Sequence, residues 1–330
     1  MPRAARLFPP VRVLLERAIR AAVLLFGVSL LSFLLLEAAP GDFFDELRLN
    51  RQVSPATIAA LRAEYGLDAP LPTRYARWVD AALHGHLGYS LHYRVPVERL
   101  LWHRAGNTLV LTSVALAIAW LLALGVGLAT AVANGRWPDR LAGGVAAALL
   151  ALPDVLITLV LLSIAAHSGW LPAGGMSSVD SAPGLKAAVV DLAQHMTVPV
   201  AILVISIAPG LLQHVRHALA DAVPAPLAVA LTARGLTRSR VVVRHALRLA
   251  AAPLAALGGL SLGTLLSASL LVEALVGWPG LGALLLEAVT ARDEYVIVGA
   301  TLVSTAFLVC GNAIGDAVFY ITDPRARTAQ

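Results

Sequence analysis

The chain has 330 residues, of which 58% are hydrophobic and only 14% charged, and its mean hydropathy is +0.77. A soluble domain carries about 25% charged residues, so water is excluded as the main solvent and lipid is implied. The net charge of +5 rests on arginine, lysine occurring once, and the arginines sit at the ends of apolar segments, which favours a membrane over nucleic acid as the partner.

A hydrocarbon core about 30 Å thick needs about 20 apolar residues at helical rise. Six stretches meet that need, so the expected fold is an all-α membrane protein with six transmembrane helices. The first runs over 19–39, with no charge from Ala21 to Leu36. Its basic start also permits a cleaved signal peptide, but the apolar run is long for one and "EAAPGD" is a poor cleavage site. The second lies between Arg104 and Arg136, and the third covers 141–167, interrupted by Asp154. The fourth lies between Asp191 and Arg216 and the fifth between Arg248 and Glu273. The sixth follows Glu294 and ends near Ile321. Backbone groups in hydrocarbon must pair internally, which makes each a helix.

The segment between the first two spans, residues 40–104, reads as folded. In "SPATIAALRAEYGL" Ser54 is an N-cap, Pro55 opens a helix and Gly66 follows its end. Ile58, Leu61 and Tyr65 share one face of it. The alternative is a plain connector.

Arginine placement sets the direction. With the N-terminus inside, the inner segments hold 15 basic residues and the outer segments 10, eight of them in the long segment where acids accompany them. The chain therefore reads as N-in and C-in, with 1–18 and the basic stretch "LTARGLTRSRVVVRHALRLAAAP" on the cytoplasmic side. In that stretch "PLAVALTAR" can form a short helix that Gly235 ends in a left-handed turn. "SRVVVRHALR" can form a second helix at the membrane surface. Arg240, Arg244, His245 and Arg248 would lie among lipid headgroups, with Val241, Val242, Ala246 and Leu249 mostly elsewhere. The first helix carries almost no charge, and an apolar helix exposed to water invites a protein partner.

These residues resemble the cytoplasmic signature loop of ABC importer permeases, in the dipeptide, oligopeptide and nickel group, first of its two permease types. The matching places are Leu231, Thr232, Ala233, Arg234, Gly235 and Leu236, then Arg238 and Arg240, then Arg244, His245, Ala246, Leu247 and Arg248, and Pro253. "PGD" at 40–42, "LRAEYGLDAPLPTRYARW", "HLGYSL", "GWLPAGG" at 169–175, "GWPGLG" at 277–282 and "DPRAR" at 323–327 extend the resemblance over nearly the whole chain. The chain departs from the group's pattern ahead of the loop. Ala225 or Pro226 stands where an acid is common, Leu227 where a tyrosine is, Leu231 where an alanine is, and Leu249 where an asparagine is.

The resemblance implies one subunit of a larger machine. Its partners would be a second permease subunit, two cytoplasmic ATPase subunits, an extracytoplasmic solute-binding protein and membrane lipid. Residues 105–330 would form the membrane core, and the coupling loop at 216–248 would meet the ATPase through Leu231 to Leu236. Short peptides are the first expectation for cargo, with nickel, glutathione or another small solute as alternatives. No cofactor and no nucleic acid are expected, and the chain is expected to be a transport subunit and not an enzyme.

Rival classes fare worse. An ATP site needs a glycine-rich turn ending in Gly-Lys-Ser/Thr, and the only lysine, Lys186, lies in "SAPGLKAAV". An ion-gradient-driven secondary transporter needs internal repeats with matching broken helices, and none is evident. Cys310 is the only cysteine, so no internal disulfide can form. His84, His86 and His92 are spaced to tempt a metal reading but lack nearby carboxylate or cysteine ligands, so no metal is expected. Asp154, inside the third span, is a candidate pathway residue. Glu273 and Asp316 are read as structural acids near span ends within reach of water. Trp170, Trp278 and Tyr320 are read as interfacial aromatics.

Overall fold

A computed structural model describes residues 11–41, 43–44, 54–64, 68–133, 135–172, 174–178 and 184–322. Asp42, Tyr65, Gly66 and the stretch 323–327, all used above, lie outside the described residues.

The described residues are almost entirely helical. In chain order the helices are α1 (Val11–Ala38), α2 (Pro55–Glu64), α3 (Leu71–Leu83), α4 (Val97–Ala133), α5 (Trp137–Leu150), α6 (Asp154–Ser168), α7 (Leu185–Ala222), α8 (Ala225–Ala233), α9 (Arg238–Val276), α10 (Leu281–Ala291) and α11 (Glu294–Thr322). Five of them, α1, α4, α7, α9 and α11, are long and apolar enough to cross a bilayer. At 1.5 Å per residue, α4 and α7 are roughly 55 Å long. Each overshoots the hydrocarbon by about 25 Å, both ends together.

The third predicted span differs from expectation. It is not one rod but a pair, α5 and α6, bent by 98° at the break between them. Pro153 cannot donate the backbone bond that would carry α5 onward, and Asp154 starts the new helix. Neither arm, at about 22 Å, spans the hydrocarbon alone.

The core is built where α4, α7 and α9 pack together. Leu111, Ala115 and Ala119 of α4 meet Ile202 and Leu203 of α7 in one buried cluster with Leu265 and Val272 of α9. Alanines recur on the α4 face because small side chains let helices approach closely, which is what drives packing in lipid. Helices α9 and α11 touch at backbone level where Gly259 and Gly315 face each other; a Cβ on either would meet the other's backbone.

Among the described residues after α1, the helix that the Ser54 cap predicts is present as α2. The Ser54 hydroxyl accepts the Thr57 N–H at 3.1 Å, and Ile58 is buried. Helix α3 packs Tyr75 and Trp78 against Phe33 of α1 and Val298 of α11. Arg74 on the same helix forms ion pairs with Glu37 of α1 and Glu294 of α11. A tight hairpin at 89–96 is held by Asp293, whose Oδ2 accepts the Ser90 hydroxyl at 2.6 Å and the His92 N–H at 3.0 Å.

Two further expectations are corrected here. Glu273 is not within reach of water. It is fully buried and its Oε2 accepts the Gly282 N–H at 2.8 Å, while the Thr108 hydroxyl accepts the neighbouring Leu281 N–H at 2.9 Å. Trp278 is not an interfacial aromatic either. It is fully buried, and its indole N–H donates to the Asn107 carbonyl at 3.2 Å. Both residues pin the tight turn between α9 and α10, where Gly277 adopts φ +72° and Gly280 leaves no room for a Cβ beside Glu273. Asp316 is exposed and pairs with Arg17 at 3.2 Å.

Candidate functional site: the connection from α7 to α9

The connection from α7 to α9 lies within the segment 216–248 that the resemblance singles out. Its first half is α8, "APLAVALTA", which holds no charged residue. Pro224 precedes it in extended geometry and Pro226 sits in its first turn, so the chain breaks sharply from α7. Leu227 and Val229 are 43% and 67% exposed. The Thr232 hydroxyl turns back on its own helix, donating to the carbonyls of Ala228 and Val229, and adds no polarity outward.

The exit from α8 is a Schellman turn. Gly235 N–H donates to Thr232 O at 2.9 Å, Leu236 N–H donates to Leu231 O at 3.3 Å, and Gly235 has φ +82°. The left-handed residue is the glycine that the sequence marks. Thr237 then caps the next helix, its hydroxyl accepting the Arg240 N–H.

That next helix is not a separate surface helix, which departs from expectation. It runs without a break into the fifth span as α9, passing through a π-helical turn at Val241–Ala246. Its faces are largely as the spacing predicts. Val241, Val242 and Ala246 are buried, while Arg240, Arg244 and Arg248 are exposed and His245 is half-buried. Leu249 is exposed beside the arginines, against expectation.

The loop is tethered to the bundle at one edge. Arg238 Nε donates to the Ala131 carbonyl at the end of α4, 3.1 Å away. Nearby, Arg216 of α7 pairs with Asp139 of α5 at 2.6 Å and also donates to Gln213. Between these tethers and α8 lies a cleft of about 750 Å³. Its floor is apolar, with Leu219, Val223, Val241 and Val242, and its rim carries Arg216, His217 and Arg238.

The structure brings Leu231, Thr232, Ala233, Arg234, Gly235, Leu236 and Arg238 together around this turn. Asp154 lies elsewhere, exposed at the elbow between α5 and α6. His84 Nδ1 lies 2.7 Å from the Asp80 carbonyl, and His86 faces Glu98 at 3.8 Å. Among the described residues no group of three histidines, cysteines or acids is placed to hold a metal ion. The cleft itself had no sequence signal, because its walls come from five separate helices.

Comparison with known proteins decides the family. Residues 122–328 match the family described as the inner membrane component of binding-protein-dependent transport systems, and residues 10–112 match the description of that component's N-terminal part. The chain belongs to this family. A Brucella ovis protein named for peptide permease is 33% identical over 319 residues, covering 96% of this chain and 99% of that one. The dipeptide transport system permease protein DppB of Escherichia coli K12 is 30% identical over 319 residues, covering 91% and 94%. A solved structure of inward-facing MetNI, a methionine ABC transporter, aligns with TM-score 0.50 at 21% identity, covering 67% of this chain and 96% of that one. That likeness concerns the fold alone. The permease is thus a multi-pass inner-membrane transport subunit of a binding-protein-dependent ABC importer, not an enzyme.

Proposed function

We propose that this permease imports short peptides, forming half of a pathway with a second permease subunit and coupling to two cytoplasmic ATPase subunits through α8 and its Schellman turn. An extracytoplasmic binding protein delivers the cargo. The observation that carries the coupling role is α8 itself: a charge-free helix, exposed on its apolar side and set off from two spans by Pro224 and Gly235. Leu231, Thr232, Ala233, Arg234, Gly235 and Leu236 make the contact. Arg238, Arg240, Arg244, His245 and Arg248 hold the start of α9 at the lipid surface. The names of the relatives support peptides as the cargo class.

In this reading both termini face the cytoplasm, residues 1–18 lie inside, 40–104 lie outside, and 216–248 form the coupling segment. A parity argument supports it. Arg17 near the start of α1 pairs with Asp316 near the end of α11, so the first span begins on the side where the last one ends. A chain that returns to its starting side crosses an even number of times. Five unbroken spans need a sixth crossing, which the bent α5–α6 pair supplies. Asp154 then sits at an elbow within the membrane and lines the pathway.

The test is co-purification of the permease pair with its ATPase. Gly235→Pro removes the N–H that closes the turn on Thr232 and forbids the positive φ. The ATPase should be lost from the complex while the two permeases stay together. A complex of unchanged composition overturns the assigned contact.

A further inference from the structure

We infer that the cleft behind α8 is a second docking site for the ATPase, taking a short segment that places an apolar side chain beside a carboxylate. This rests on the reading that the 216–248 segment faces the ATPase, and it adds a contact on the opposite side of α8 from the turn. The helix does not lie flat on the bundle. A space of about 750 Å³ separates it from the ends of α4 and α7. The floor of that space is aliphatic, which suits an apolar side chain.

The rim selects the charge. Asp139 is the acid in the cleft, and it is already engaged by Arg216 at 2.6 Å and by the Gly135 N–H at 2.7 Å. The sequence contains no aspartate or glutamate between Asp221 and Glu273. Arg234, Arg238 and Arg240 are exposed, and among the described residues none of them is ion-paired. Arg238 uses Nε on the Ala131 carbonyl, which fixes its guanidinium at the mouth of the cleft. Of the two arginines that line the cleft, Arg216 is satisfied by Asp139, and the fixed, uncompensated guanidinium of Arg238 calls for a carboxylate partner and rejects a basic one.

Position argues for a protein and against lipid. Helix α7 keeps an uncharged run from Leu192 to Leu212, then becomes polar at Gln213, His214, Arg216 and His217. The ten residues from Gln213 to Ala222 extend about 15 Å past that apolar run. The cleft is lined by this extension, by the end of α4 and by α8. It therefore lies beyond the hydrocarbon, where water and soluble partners reach it.

Single-cysteine labelling of the assembled importer tests this. With Cys310→Ala as background, Ala220→Cys reports the cleft, since Ala220 is exposed and lines it. Leu227→Cys reports the outer side of α8, being 43% exposed and outside the cleft lining. A charged methanethiosulfonate reagent is applied to the permease pair with and without the ATPase. Both cysteines should label at least about tenfold more slowly in the complex, as expected for groups covered by a protein interface. Arg238→Glu should restore labelling at Ala220→Cys while leaving Leu227→Cys protected, because it reverses a rim charge and gives up the tether to Ala131, while the Schellman turn that sets α8 stays closed by its backbone bonds. Protection of Leu227→Cys alone overturns the cleft proposal and leaves the coupling role of α8 standing. Protection of neither overturns the coupling role as well. Slow labelling at Ala220→Cys without ATPase, relieved by removing lipid, assigns the cleft to lipid and overturns the proposal. Protection at Ala220→Cys that ignores Arg238→Glu overturns the acidic character of the segment.

Discussion

Two glycine-to-alanine substitutions with the same chemistry should move stability in opposite directions. At Gly259 an added methyl meets the backbone of Gly315, and at Gly144 it meets nothing within 4 Å. A side chain in the way could rotate aside, but the Gly315 backbone is held by its own helix. Overpacking of this kind costs about 1–3 kcal/mol, and the upper end applies where backbone blocks the methyl. Replacing glycine by alanine inside a helix returns about 1 kcal/mol. Gly259→Ala should therefore destabilise by about 2 kcal/mol, while Gly144→Ala should stabilise by up to about 1 kcal/mol. The gap is about 3 kcal/mol and can be read from denaturation midpoints of the purified permease in detergent micelles. If Gly259→Ala proves as stable as the parent, the close approach of α9 and α11 does not exist as described.

Arg74→Ala should cost about 2 kcal/mol. The guanidinium is only 9% exposed between Glu37 and Glu294, but those acids are partly solvated, which keeps the loss below the 3–5 kcal/mol of a fully buried pair; limited proteolysis should then open the segment containing α3 first. Trp278→Phe should cost about 1 kcal/mol, because it deletes the donor to Asn107 while keeping most of the buried ring; an unchanged thermal midpoint would remove that hydrogen bond from the account. Tyr93 lies in the hairpin outside the spans, and burial, aided by its hydrogen bond to Glu287, raises its pKa from 10.0 to about 12. The folded protein then holds this proton longer than the unfolded chain. The stabilisation is complete below pH 10 and is lost as pH rises toward about 12. Tyr93→Phe should remove that part of the alkaline decline in stability, and phenolate absorbance should show one tyrosine titrating late.

Much of this architecture follows from local rules, and those parts were legible. Five spans announce themselves by length and by their flanking charges. The left-handed turn at Gly235 was readable because glycine is the residue that takes φ +82° without strain. Ser54 was readable as a cap because its hydroxyl acts within three residues. The failures share a different cause. Glu273 is buried in a turn that Thr108, far away in sequence, also holds by accepting the Leu281 N–H, and nothing local to "VEALVGW" reveals it. The indole of Trp278 finds Asn107 by the same kind of distant contact. Pro153 marked an interruption, but a proline does not state its angle; the 98° elbow depends on what the two arms pack against. The basic helix merged with the fifth span because no glycine or proline stands between Arg238 and Pro253, and the arginines masked that continuity.

The π-helical turn at Val241–Ala246 makes one stretch of α9 unusually forgiving of a shortened gene. There Leu247 N–H reaches back to the Val242 carbonyl, a ring wider by one residue than its neighbours. Losing a single residue inside that ring converts it to ordinary α-helix and leaves both flanks in phase. The same loss further along, between Leu247 and Gly259, would swing the two flanks about 100° out of step with each other. Within this 39-residue rod, a length change at the wide turn is absorbed locally, while one elsewhere reorients the basic face relative to the glycine seam.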